Sequence, residues 1–212
     1  MLRSLFRLSN RVGVEIQHFP TPLRDPATVS AIVAVYRQVF ADAPWHEAYL
    51  CPVCKSSYGK NYHQKICEGC LQDGNHVLLV DHWPTYKVIQ DFYKEMVKPN
   101  AVCVFAKSDE GLVGFAWGYQ MELNAEASSY LEAPRIHECL HGGFFYIDEV
   151  ALLLPYRGKG IGKNLVQAIT QGKEKERMLL RTLHESPMHK LVEGMGGTIV
   201  QHISEGRVIM VM

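Results

Sequence analysis

The chain has 212 residues, 47% of them hydrophobic, enough to build one substantial domain or one domain carrying a small insertion. Lys plus Arg equals Asp plus Glu at 22 each, which excludes a global basic field of the kind that drives indiscriminate binding to nucleic acid or anionic membranes. No apolar run approaches the roughly 20 residues of a membrane helix, so a soluble protein without a membrane partner is expected.

Residues 1–11, MLRSLFRLSNR, are read as an N-terminal extension, although three Arg and no acid also suit an organellar transit peptide. The alternation in 12–19 predicts a first strand, broken off by Pro20, Pro22 and Pro26. A helix is predicted from Ala27 to about Phe40, with Asp25 as N-cap, Pro26 in the first turn and Val29, Ile32, Val33, Val35, Tyr36 and Phe40 as a core face. From about 43 to 74 the periodicity fails and Cys, Gly, Lys and Tyr accumulate, which reads as an insertion. A second helix is predicted over Pro84–Val97, with Tyr86, Ile89, Phe92, Tyr93 and Met96 on one face.

Residues 101–107 and 112–121 read as a β-hairpin around Ser108-Asp109-Glu110-Gly111. A short helix follows near Ala125–Leu131, then a loop with His137, Cys139 and His141 to which the pattern assigns no chemistry. Residues 144–154, FFYIDEVALLL, predict a central strand closed by Pro155. A helix from Gly160 to about Gln171, a strand at 178–183, a helix near 187–195 and strands at 198–203 and 208–212 complete the chain.

The turn between the central strand and the next helix carries Gly158, Gly160 and Gly162. Glycines there let backbone N–H groups approach a ligand, and the helix N-terminus favours an anion, so the turn can cradle phosphate. It has neither the Gly-Lys-Ser/Thr ending of a Walker loop nor the spacing of a dinucleotide fingerprint. The stretch Asp148-Glu149-Val150-Ala151-Leu152-Leu153-Leu154-Pro155-Tyr156-Arg157-Gly158-Lys159-Gly160-Ile161-Gly162 closely resembles motif A of the GNAT acetyltransferase superfamily, whose signature, R/Q-x-x-G-x-G/A, is filled by Arg157, Gly160 and Gly162. The element order over 12–212 agrees with that family in pattern.

The resemblance implies an α/β (α+β) fold, a mixed, mostly antiparallel sheet flanked by helices, and acetyl-CoA as cosubstrate. It implies that backbone groups of Val150, Ala151 and Leu152 pair with pantetheine. The loop Arg157, Gly158, Lys159, Gly160, Ile161, Gly162 and Lys163 would hold the pyrophosphate. Acyl transfer to an amine needs a proton acceptor, and Asp148 and Glu149 are the candidates. Adjacent strand residues point to opposite faces, so only one should face the cleft; the resemblance favours Glu149. Where many relatives carry a Tyr that protonates the leaving thiolate, this chain has Val192, so no general acid is assigned. The lone histidines His141, His184 and His189 are expected to be surface or structural.

Cys51-x2-Cys54 and Cys67-x2-Cys70 have the spacing of a four-thiolate site, in which each pair turns both sulfurs toward one tetrahedral zinc. Four protein ligands leave no open position, so this Zn2+ is expected to be structural. Such thiols also point to a reducing compartment, with the cytoplasm as default. The ribbon's Lys55, Lys60, Lys65, Tyr58, Tyr62 and His63 are expected to form a solvated face rather than a nucleic-acid surface.

Together these observations point to an acetyl-CoA-dependent N-acetyltransferase, working by direct attack in a ternary complex on a small-molecule or protein amine. The alternative is a catalytically weak CoA-binding scaffold that uses its ribbon to grip a protein or nucleic acid; Val192 favours it. The acceptor and the oligomeric state are not specified by the sequence.

Overall fold

Two apolar runs joined by Asp109-Glu110 form the hairpin of β5 (Val102–Ser108) and β6 (Gly111–Glu122), where Ser108 pairs with Gly111 and its hydroxyl accepts the Glu110 amide at 3.2 Å. This hairpin belongs to the larger sheet of the computed structural model, which describes residues 13–19, 25–133, 136, 140, 142–173 and 176–212. The chain divides into two compact units. One is built on residues 93–212 with the first strand; the other is Asp25–Phe92.

The larger unit holds a seven-stranded sheet in the order β1-β5-β6-β7-β8-β10-β9. Its remaining strands are β1 (Glu15–Phe19), β7 (Gly143–Leu152), β8 (Met178–Leu183), β9 (Thr198–His202) and β10 (Arg207–Val211). Every neighbouring pair is antiparallel except β7 and β8, which are parallel. The sheet is therefore mixed and mostly antiparallel, as expected. One face packs Val104, Ala116, Phe145, Ile147 and Leu180 against Ile161, Leu165, Val166 and Ile169 of helix α5 (Ile161–Thr170). The other packs Tyr119, Phe144, Tyr146, Leu179 and Ile209 with Leu131 and Ile136, beyond helix α4 (Ala125–Tyr130). Helix α6 (Pro187–Glu193) is capped by Ser186, whose hydroxyl accepts the His189 amide at 3.0 Å.

In the smaller unit, helix α1 (Pro26–Phe40) begins as its sequence predicts: Asp25 accepts the amides of Ala27 and Thr28 at 3.2 and 3.1 Å. Its predicted core face is buried. The segment without periodicity forms a small sheet in the order β3-β2-β4, from β2 (Tyr49–Leu50), β3 (Ser57–Tyr58) and β4 (Val80–Asp81), with one short helix, α2 (Glu68–Gln72). Strands of two residues are too short to show a period in sequence.

Three sequence expectations are corrected in detail. β1 starts at Glu15 rather than 12, after Gly13 at φ +67°. β7 stops at Leu152 because Leu154–Tyr156 turns into a 3-10 coil around Pro155. Helix α3 (Thr85–Met96) buries Val88, Phe92 and Met96, an i, i+4, i+8 stripe, while Tyr86 is 72% exposed and Tyr93 is also exposed. Tyrosine carries a hydroxyl that tolerates water, so counting it with the apolar residues rotated the expected face. No helix among the described residues is long and apolar enough to cross a membrane.

Candidate functional site

The predicted phosphate cradle sits where β7 leaves the sheet. Gly158 and Gly160 have φ of +73° and +79°, a left-handed backbone that costs an L side chain but not glycine. Gly160 caps α5 without a side-chain bond. A Cβ built on Gly158 or Gly160 would meet nothing within 4 Å, so open space lies over the loop. After Arg157, the first amide with a backbone acceptor among the described residues is that of Asn164, bonded to Gly160 O at 3.1 Å. The amides just before it are thus available to an anion at the positive end of the helix. Arg157 turns back, its Nε donating to Leu152 O at 2.9 Å, and ties the loop to the strand end. Tyr156 ties it to the hairpin through Ser108 at 3.2 Å and Glu110 at 3.3 Å.

Val150, Ala151 and Leu152 lie on the part of β7 that β8 does not reach. The parallel ladder has two register pairs, Phe145 with Met178 and Tyr146 with Leu179. Beyond Tyr146 the two strands have parted, leaving one backbone edge of β7 without a ladder partner among the described residues. An extended ligand carrying amides can pair with such an edge. The predicted strand segment and the predicted loop thus form one continuous border, which fits an elongated, phosphorylated cosubstrate such as acetyl-CoA.

The two candidate acids are arranged differently from expectation. The register between β6 and β7 slips between Trp117/Gly118: Trp117 pairs with Glu149, but Gly118 with Ile147. Asp148 is the extra residue of a β-bulge. Phe145 and Ile147 lie on the α5 face, and Val150 and Leu152 return to it, so Asp148 and Glu149 both lie on the opposite face. The rule of alternate faces fails because a bulge shifts parity by one. Gly118 permits the slip, since a Cβ there would lie 2.5 Å from Tyr146 O.

Asp148 is held by two donors, Trp117 Nε1 at 3.2 Å and the Tyr130 hydroxyl at 3.1 Å. Desolvation is the largest influence on it and Glu95 adds repulsion; against the pull of Trp117, Lys98 and Tyr130, its carboxyl is pushed up to about 6. Lys98 forms an ion pair with Glu95 and sits 3.8 Å from the ring centre of Tyr119 and 5.1 Å from that of Tyr130. Burial and the nearby Asp148 hold the Tyr130 and Tyr119 hydroxyls protonated well past their ordinary range.

In the smaller unit the four predicted thiols converge. Cys51, Cys54, Cys67 and Cys70 have all sulfurs within 4.8 Å of one another, with Cys51 to Cys70 at 3.7 Å and Cys54 to Cys67 at 3.4 Å. Zinc–sulfur arms of about 2.3 Å at tetrahedral angles put sulfurs about 3.8 Å apart, so the cluster fits one such ion. Cys51, Cys67 and Cys70 are buried, packed against Tyr58, Val77 and Leu79. The Cys51 amide donates to Ser56 O at 2.9 Å and Lys55 N to Cys51 O at 3.1 Å, closing the first knuckle. Cys67 caps α2, and Tyr58 places its hydroxyl 3.2 Å from the Cys67 sulfur. Hydrogen bonds from Ser56 hold the Cys54 thiol down at about 6, whereas burial pushes Cys70 up to about 12.

Of the other residues singled out, Val192 is fully buried in the core and offers no proton. His189 is buried and its ring lies 4.6 Å from that of exposed His184; His137, Cys139 and His141 lie outside the described residues. The Trp117, Tyr130, Glu95 and Lys98 surroundings of Asp148 were not legible, because they come from three elements far apart in sequence. One usable signal existed: a glycine inside a strand pattern, Gly118, marks a bulge or a close approach.

A family model described as the acetyltransferase (GNAT) family matches residues 69–196, more than half of the chain, and includes the glycine loop and both acids. The chain belongs to the GNAT acetyltransferase family. Solved structures share the fold of this GNAT chain at low identity. Arylalkylamine N-acetyltransferase 2 from Aedes aegypti is 12% identical with a TM-score of 0.58, over 94% of this chain and 98% of that one. Arabidopsis thaliana NAA60 in complex with acetyl-CoA is 13% identical with a TM-score of 0.53, over 94% and 97%. The PaiA N-acetyltransferase from Thermoplasma acidophilum in complex with coenzyme A is 14% identical with a TM-score of 0.51, over 93% and 97%. Comparison with curated protein sequences finds no match.

Proposed function

We propose that this GNAT chain is an acetyl-CoA-dependent N-acetyltransferase that passes the acetyl group directly to an amine in a ternary complex. The observation that carries the reading is the continuous border of unpaired β7 edge and glycine loop. In this reading Val150, Ala151 and Leu152 bind pantetheine through their backbone. The amides from Gly158 to Lys163 receive the pyrophosphate, with Lys159 and Lys163 adding positive charge and Arg157 anchoring the loop. Glu149 faces the reacting centre as a carboxylate that orients the amine and accepts a proton. The family relationship supports acyl transfer from acetyl-CoA; the choice of an amine and of Glu149 is our inference.

Cys51, Cys54, Cys67 and Cys70 would hold one structural zinc. Its role would be to fold the ribbon, because a segment this short has too little apolar surface to fold alone. We take 12–212 as one acetyltransferase domain with the ribbon inserted at about 43–74, following an extension at 1–11. The cytoplasm, where thiols stay reduced, is the proposed location.

Thiol release from acetyl-CoA, followed across spermidine, an aminoglycoside, an amino acid and a short peptide, tests the activity. Transfer to at least one amine is expected. Tight acetyl-CoA binding with no transfer to any amine would instead support the scaffold reading that buried Val192 favours.

A further inference from the structure

Four thiolates around one divalent cation carry a net charge of about −2, and burying that charge needs hydrogen-bond donors around the sulfurs. Water can supply them at Cys54, which is exposed. At Cys67, which is 0% exposed, they must come from the protein. Two groups reach its sulfur, the Cys70 amide at 3.5 Å and the Tyr58 hydroxyl at 3.2 Å. The surroundings of Tyr58 fix the sense of the second contact. Its oxygen already accepts the Glu68 amide at 3.1 Å, and a metal-bound thiolate has no proton to give, so toward Cys67 the hydroxyl can only donate.

Tyr58 is also held in place for this contact. It lies on β3 opposite Tyr49, and its ring packs against that of Tyr62 with centroids 4.4 Å apart. The solvated face expected of Tyr58 from the sequence is therefore corrected: the side chain is half-buried and packs against the sulfurs.

We propose that Tyr58 is a positioning residue of the metal centre, whose O–H···S bond to Cys67 disperses part of the excess thiolate charge and sets the affinity for metal. This rests on the reading of Cys51, Cys54, Cys67 and Cys70 as ligands of one ion. The ligand class is a divalent ion that accepts four sulfurs in a tetrahedron, such as Zn2+, Co2+ or Cd2+. Ser56 places a hydroxyl 3.2 Å from the Cys54 sulfur, so one sulfur of each Cys-x2-Cys pair has a side-chain hydroxyl. The two differ in weight. Cys54 and Ser56 are exposed, and water can replace a lost donor there; beside buried Cys67 a lost donor leaves the thiolate uncompensated.

The test is titration of the full chain, stripped of metal under reducing conditions, with Co2+. Sulfur-to-cobalt charge-transfer absorption reports the electron density on the sulfurs, and displacement of Co2+ gives the Zn2+ affinity. Tyr58→Phe removes one oxygen and keeps the ring beside Tyr62. It should weaken both metals about 10- to 100-fold, the scale for losing a partner of a metal ligand. It should also move the charge-transfer band to longer wavelength, because a sulfur without its donor gives up electron density more readily. Ser56→Ala should cost less than about threefold, since water substitutes. Tyr62→Phe is the control: its hydroxyl donates to Ile66 O at 2.7 Å rather than to sulfur, so its loss can loosen the ribbon but should leave the band in place.

In the Cd2+-loaded parent, NMR should show a slowly exchanging Tyr58 hydroxyl proton coupled to the metal through sulfur, which decides the matter even if Tyr58→Phe does not fold. Three results overturn the inference and leave the four-thiolate site standing: Tyr58→Phe with the affinity and band of the parent, Tyr62→Phe moving the band as far, or a Tyr58 hydroxyl that exchanges freely in the loaded protein. A parent that shows no thiolate charge-transfer absorption with Co2+ overturns both.

Discussion

Gly160 allows folding and ligand binding to be separated by one substitution. Its φ of +79° costs a non-glycine residue about 1–2 kcal/mol, less for Asp, which tolerates the left-handed region. A Cβ there meets nothing within 4 Å, so no steric penalty is added. A carboxylate at the N-terminus of α5 recovers about 0.3–1 kcal/mol from the helix dipole. Gly160→Asp should therefore remain within about 1 kcal/mol of the parent in the absence of ligand, about 2–4 °C in melting temperature for a chain of this size. Acetyl-CoA at 100 times its Kd should stabilise the parent by about 2.7 kcal/mol, which is a shift of roughly 5–10 °C. If the loop is the pyrophosphate cradle proposed above, the added negative charge of Gly160→Asp repels the pyrophosphate, and the shift should vanish. Gly160→Ala carries the backbone cost without the charge and should keep most of it. Thermal denaturation with and without acetyl-CoA, backed by calorimetry, measures all three proteins. Equal affinity of Gly160→Asp and the parent would refute the cradle.

Glu149→Gln should leave acetyl-CoA affinity nearly unchanged and lower turnover about 100-fold, the scale of a positioned proton acceptor; unchanged steady-state rates on an accepted amine would remove it from the mechanism. Elemental analysis should find one zinc per chain, lost in a Cys67→Ser, Cys70→Ser double mutant whose acetyl-CoA binding survives; a metal-loaded double mutant would contradict the four-thiolate site. Asp148→Asn should change the pH dependence of stability. The Asp148 carboxyl titrates higher in the folded chain, at about 6 against an ordinary 3.8, so its stabilising contribution is complete below the unfolded value and lost as pH rises through about 6. A rise of that size corresponds to about 3 kcal/mol, so denaturant melts from pH 4 to 7 should show the parent losing about that much more than Asp148→Asn. Parallel curves would mean that burial does not raise Asp148.

What the sequence could reveal depended on how local the determining interactions were. The glycine loop, the cap of α1 and the paired cysteines are decided within a few residues, and each is where its pattern placed it. The β5–β6 hairpin needed only two apolar runs and a turn. The bulge at Asp148 escaped because it is a relation between two strands: nothing in FFYIDEVALLL says that β6 will skip a residue opposite it, and only Gly118, about 30 positions earlier, hints at the close approach. The ribbon strands escaped for a different reason, since the sulfur cluster rather than any apolar alternation organises them.

The brief meeting of β7 and β8 also has a mechanical meaning. Four strands on one side and three on the other are joined, among the described residues, by the two register pairs of β7 with β8 and the bond from the Phe145 amide to Arg177 O, so this sheet is laced at one end and open at the other. A ligand lying along the open part of β7 acts as a splint, replacing the missing strand with its own amides and lending the β8-β10-β9 wing a second attachment. Occupancy should then slow hydrogen exchange at those β7 amides beyond Tyr146 that point away from β6 and stiffen the wing, even at positions the ligand never touches.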